Sequence, residues 1–126
     1  MDIPKGHEVV MPYLILAGTK KFIDFTTIVF KAELTFSRMR EDNETLMHAE
    51  IMIAGSTIMF TEATAQWKVQ TSNLFLYVEN ADKTFQLALD NGATVVMELS
   101  NQDYGRTCGV ADPCGNVWWI TSVHNS

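Results

Sequence analysis

Cysteine is scarce in this chain: Cys108 and Cys114 are the two among 126 residues. They stand too far apart for a Cys-x-x-Cys redox motif, and two ligands do not make a zinc site. Basic residues are also few, nine Lys and Arg against fifteen Asp and Glu, for a formal charge of -6. An acidic chain repels phosphate backbones, so nucleic acid is not the expected partner. No apolar run approaches the roughly 18 residues that span a bilayer, so no membrane role is expected. The opening MDIPKGHEVV lacks the basic stretch and apolar core of an export signal, and the expected location is the cytoplasm, with both thiols reduced. What is present, 47% hydrophobic and 19% charged residues, suits one soluble globular domain with a core of its own.

Periodicity divides that domain into two similar halves. Residues 9–18, VVMPYLILAG, are β-rich and end at a glycine. In residues 19–31, Phe22, Phe25, Ile28 and Val29 recur at helical steps, with Thr19 as the N-cap candidate. Segments 32–39, 46–54 and 57–63 then read as an antiparallel meander, with 64–71 as a connector. The order repeats: a strand at 72–81, a helix at 82–92 with Asp82 as cap candidate and Gly92 as its C′ residue, then strands at 93–100, 104–111 and 116–124. The predicted fold is therefore α+β, two tandem βαβββ modules of about 9–63 and 72–124 within one domain spanning 1–126. YLILAGTKKFIDF echoes LFLYVENADKTFQ, and KAELTF echoes GATVVM. A repeat of roughly 60 residues is too long for a solenoid and points to a duplicated module whose curved mixed sheets face a shared cleft.

The last strand poses a question of its own. Its sequence NVWWITSVH places two indoles side by side, and neighbours on a strand point to opposite faces. Trp118 and Ile120 are expected in the helix-covered core, with Trp119 on the other face. The same parity makes Met47, Ala49, Ile51 and Ile53 an apolar face, and puts His48, Glu50 and Met52 opposite. It groups Met11 with Tyr13, Met59 with Thr57 and Thr61, Asn73 with Phe75 and Tyr77, and Arg106 with Cys108.

MPYLILAG, FIDF, MHAEIMIAGSTIMFTE, LFLYVENADKTFQLALDNGATVVMEL and DPCGNVWWI, in that order and spacing, resemble the vicinal oxygen chelate superfamily and within it the PhnB-like branch. That superfamily includes glyoxalase I, extradiol dioxygenases, and bleomycin and fosfomycin resistance proteins. The resemblance implies metal ligands on the first and last strand of each module. Those positions fall at Met11, Met59, Asn73 and Trp119 in this chain. Methionine sulfur is soft, a neutral amide is a poor sole donor, and indole does not ligate a hard divalent ion. No metal or other cofactor is therefore predicted at the usual place, although a divalent ion is what the superfamily would use.

With that departure from the family's ligand pattern, the expectation is a small-molecule-binding protein without the usual metal ligands, taking a small apolar or anionic ligand in the inter-module cleft. The ligand-facing candidates are Met11, Tyr13, Met52, Met59, Asn73, Phe75, Tyr77, Tyr104, Cys108 and Trp119. The methionines would offer a deformable lining, and Tyr104 a lid. An alternative is an enzyme on a small carbonyl or acidic metabolite. In that reading His48 acts as an acid or base oriented by Glu50, and Arg106 clamps an anion. The plainer structural readings are a solvated strand edge for His48 and Glu50, a surface ion pair for Arg106 and a buried filler for Cys108. A third alternative is a degenerate domain with a structural or interaction role. His7 and His124, near the ends, receive no role, and Cys114 is taken as inert. Relatives commonly pair, so a homodimer is expected.

Overall fold

The computed structural model describes residues 1–123; His124, given no role above, lies outside them. The chain forms two compact units that divide between Thr71 and Ser72.

The first unit runs β1 (Tyr13–Leu16), α1 (Thr19–Phe30), β2 (Glu33–Met39), β3 (Leu46–Ile53) and β4 (Ser56–Glu62), with strand order β1-β4-β3-β2. The second runs β5 (Asn73–Tyr77), α2 (Ala81–Asp90), β6 (Thr94–Gln102), β7 (Gly105–Ala111) and β8 (Val117–Ser122), in the order β5-β8-β7-β6. In each unit the first strand runs parallel to the last and the other neighbours are antiparallel. The duplicated βαβββ plan and the α+β class are thus as expected.

Each sheet carries one helix, so one face is packed and one is helix-free. In the first unit Phe22, Phe25 and Val29 of α1 are buried with Leu14, Leu16, Ala49, Ile51 and Phe60 of the sheet. Phe22 meets Phe60 edge-on at 4.9 Å between ring centres, a favourable aromatic geometry. The helix-free face carries Tyr13, His48, Glu50, Met52 and Met59, as alternation demands.

The elements depart from expectation where side chains outbid local pattern. The first strand begins at Tyr13 rather than at residue 9, and Val9 and Val10 are 72% and 84% exposed. Met11 therefore precedes the strand instead of lining it. Thr19 is not the N-cap of α1: Gly18 is, in the left-handed region at φ 91°. The cap's acceptor comes from 44 residues away, because Glu62 takes the N–H groups of Gly18 and Thr19, both at 2.9 Å, and the Thr19 hydroxyl at 2.8 Å. In α2 the cap is Asn80, whose side chain accepts from Lys83 N at 3.1 Å, and Asp82 lies in the first turn. Gly92 follows the helix at φ 96°, the left-handed conformation of a C′ glycine.

Met47 is a further correction. The register of β2 against β3 slips between Arg38 and Met39, so Arg38 faces His48 while Met39 faces Leu46. A bulge at Met47 follows. Leu46 takes the core position and Met47 is exposed, whereas strict alternation would have buried it.

Candidate functional site

The helix-free face of the first unit gathers a cluster of acid–base groups. Glu50 is buried in the middle of β3. Its Oε2 lies 2.8 Å from His48 Nε2, two residues along the same face. Its Oε1 lies 2.6 Å from His7 Nε2. Two imidazoles thus grip the two oxygens of one carboxylate. Burial pushes the Glu50 carboxyl up, but the hydrogen bonds from His48 and His7 and the charge of both rings outweigh it and hold the group below its ordinary value. Tyr13 stacks on His48 at 5.6 Å and 25°, and Phe36 flanks it at 5.8 Å. The expected pairing of His48 with Glu50 is present; the partnership with His7 was not foreseen. A turn with His7 N bonded to Pro4 O, and a 2.6 Å bond from the Thr57 hydroxyl to Gly6 O, carry His7 there. No local pattern in MDIPKGH announces a contact 43 residues away.

Beside this cluster the first unit forms an open cavity of about 840 Å³. Tyr13 and Ile15 supply one wall, Met47 and Thr61 another, and Arg40 with residues 64–67 complete it. The bulge is what sends Met47 here. Tyr13 belongs to both the cavity and the His48 stack. Met52 and Met59 are half-buried on the same sheet face, and Met59 pairs with Glu50 across the ladder.

The second unit answers the question of the paired indoles. Trp118 is 1% exposed, and its Nε1 donates to Asp112 at 2.8 Å inside the core. Trp119 lies on the opposite, helix-free face, half-buried, with Nε1 donating to Asn73 Oδ1 at 3.2 Å. Its ring rests on the backbone at Gly109, where an added Cβ would stand 2.6 Å from Cζ3. Phe75 and Tyr77 share that face and meet at 5.2 Å, and Tyr104 reaches Phe75 at 6.4 Å.

Two expected site residues fall on the other side. Cys108 pairs with Ile120 in the β7–β8 ladder and is fully buried. Burial pushes its thiol up to about 11, so it is an inert core residue rather than a ligand contact or nucleophile. Arg106 shares its parity and donates Nε to Asp82 of α2 at 2.8 Å and Nη1 to Asn101 at 3.3 Å. The guanidinium tethers the helix.

The profile of the glyoxalase/bleomycin resistance protein/dioxygenase superfamily matches residues 14–120. The chain belongs to that superfamily. Among similar proteins, an uncharacterized protein of Mycobacterium bovis is 34% identical over 119 residues, covering 85% of this chain and 78% of that one. TioX from Micromonospora sp. ML1 superposes with a TM-score of 0.71 at 20% identity, over 94% of this chain and 98% of its own. A PhnB protein from Bacillus cereus does so with 0.71 at 16%, over 92% and 100%.

The superfamily often uses a metal, and the residues at the implied positions can be tested against that use. Met11 lies outside β1. The Asn73 oxygen is engaged by the indole N–H of Trp119. With Met59, these four side chains offer no set of hard donors, so they do not fit a divalent ion. Among the described residues no group of three or more His, Cys, Asp or Glu is arranged to hold one.

Proposed function

We propose that this superfamily member binds a small molecule, without a metal at the usual positions, on the helix-free face of its first unit. The observation that carries the reading is the roughly 840 Å³ cavity beside the His7–Glu50–His48 cluster, joined to it through Tyr13. That volume is in the range of ligand sites, and its lining mixes aromatic and aliphatic walls with a few polar groups. Tyr13, His48, Met52 and Met59 supply the ligand-facing surface in this reading. A fragment panel followed by thermal shift and calorimetry tests it. Binders should appear, and Tyr13→Ala should weaken them about tenfold or more by removing one wall. If no compound shifts the melting temperature, the structural or interaction role gains.

One geometry favours a second reading. A histidine held by a carboxylate is the arrangement of a general acid or base, so an enzyme on a small carbonyl or acidic metabolite would work through His48. His48→Ala would then abolish turnover while leaving binding within a few-fold. Equal loss of both would place His48 in the pocket wall instead.

The exposed Phe75 and Tyr77, 51% and 66% accessible, support pairing of two chains as a homodimer. Light scattering giving only the 14.2 kDa of a single chain would refute it.

A further inference from the structure

Among the described residues no ion pair neutralises Arg40. Its Nη2 donates to Glu62 O at 2.9 Å and to the Thr61 hydroxyl at 3.3 Å, both uncharged acceptors. Its Nη1 is buried with no hydrogen-bond partner, the sole such side-chain atom among the described residues. Two carboxylates are near enough to feel the guanidinium, Glu62 and Asp42. Both are spent elsewhere. Glu62 takes three donors at the start of α1. Asp42 closes its own turn by accepting from Glu44 N, Thr45 N and the Thr45 hydroxyl.

An unneutralised, partly desolvated guanidinium with an orphan donor is costly unless something supplies the acceptor. Arg40 lines the cavity. So do Tyr13 and Trp67, 52% and 59% exposed, large flat surfaces left open to water. The 64–67 turn holds Trp67 in place through Thr64 N to Trp67 O at 2.8 Å and Trp67 N to the Thr64 hydroxyl at 2.9 Å. One end of the site is cationic and its walls are aromatic.

We propose that this cavity selects a small anion with a carboxylate at one end and a planar apolar body at the other, the carboxylate held by Arg40 and the body against Tyr13 and Trp67. This rests on the reading of the first unit as a ligand-binding unit and names the class of ligand. A guanidinium meets a carboxylate through paired N–H donors, which a neutral amide cannot match. Because Nη1 is closed to water before the ligand arrives, the guanidinium shifts as the carboxylate enters and exchanges the Thr61 hydroxyl for it.

The test uses 1-naphthoate, its neutral isostere 1-naphthamide, and acetate, titrated by calorimetry and by quenching of tryptophan emission. Naphthoate should bind at least about tenfold more tightly than naphthamide, the margin of one charge-assisted pair. Acetate should bind far more weakly than naphthoate. In Arg40→Gln the preference for the acid should vanish, and in Arg40→Lys part of it should survive. Arg40 also bonds β4, so Trp67→Ala serves as a second variant at an exposed position. It should weaken acid and amide alike, keep their ratio and remove most of the quenching. Equal binding of acid and amide to the unaltered protein overturns the anion proposal and leaves the ligand-binding reading standing. So does a panel in which only neutral fragments bind. Binding of acetate as tight as naphthoate overturns the planar body. Absence of any binder overturns both.

Discussion

Gly109 and Trp119 show how a single missing atom shapes the second unit. The indole occupies the space a Cβ would need, so Gly109→Ala must displace the ring or bend β7. The expected cost is about 1–3 kcal/mol, read from urea unfolding. Trp119→Leu in the same chain should recover most of it, which a purely backbone effect would not allow. Asp112 is a second such position. Its carboxyl accepts from Cys114 N, Asn116 N, Asn116 Nδ2 and Trp118 Nε1, all within 3.0 Å. Asp112→Ala would strand several buried donors and should cost more than about 3 kcal/mol. Trp118→Phe strands one hydrogen-bonding partner and should cost less. The parity of NVWWIT, visible in the sequence, already separates the two indoles. The acceptor of the Trp119 N–H was not visible, since Asn73 lies 46 residues away.

At the scale of elements, α1 depends on Glu62 from the end of β4. The helix has no acidic residue in its first turn and no side-chain cap of its own, so this borrowed carboxylate answers the exposed N–H groups and the helix dipole. Glu62→Ala should destabilise the first unit by about 1–2 kcal/mol. Burial raises the Glu62 carboxyl, but the Thr19 and Gly18 N–H groups and the Thr19 hydroxyl lower it further, leaving it below its ordinary value. A depressed carboxyl stabilises the fold at pH above its unfolded value and loses that contribution as pH falls through the folded value. Glu62→Gln should therefore flatten part of the acid arm of the melting-temperature profile below about pH 4.5. Helix spans, the succession of elements along the chain and the C′ role of Gly92 were legible because they follow from short-range patterns. Both cap residues were misplaced by one or two positions: in α1 the acceptor comes from the distant Glu62, and in α2 Asn80 caps two residues ahead of Asp82.

At the scale of the whole molecule, the N-terminal segment is part of the cluster around Glu50. His7 and Gly6 attach it to Glu50 and Thr57. In His7→Ala the Glu50 carboxyl loses one of the donors that depress it, so its titration should move upward. The share of acid-induced destabilisation that Glu50 contributes should then shrink and level off at higher pH than in the unaltered chain. Carboxyl-carbon NMR of Glu50 with melting curves between pH 3 and 6 checks both. An unmoved Glu50 titration would refute the bridge. No helix of the described residues is long and apolar enough to cross a membrane.

The sequence by itself determined the duplication, the α+β class and the alternation that sorts side chains between faces. These depend on spacings of two to four residues, which a strand or helix converts into a face wherever it sits. The tertiary structure alone decided that His7 completes the Glu50 cluster, that a bulge turns Met47 into the cavity, and that Arg106 and Cys108 turn toward α2. It alone left Arg40 without an ion pair among the described residues. Those outcomes require distant segments to meet, and the free energy of such meetings belongs to the packed units rather than to any local stretch of chain.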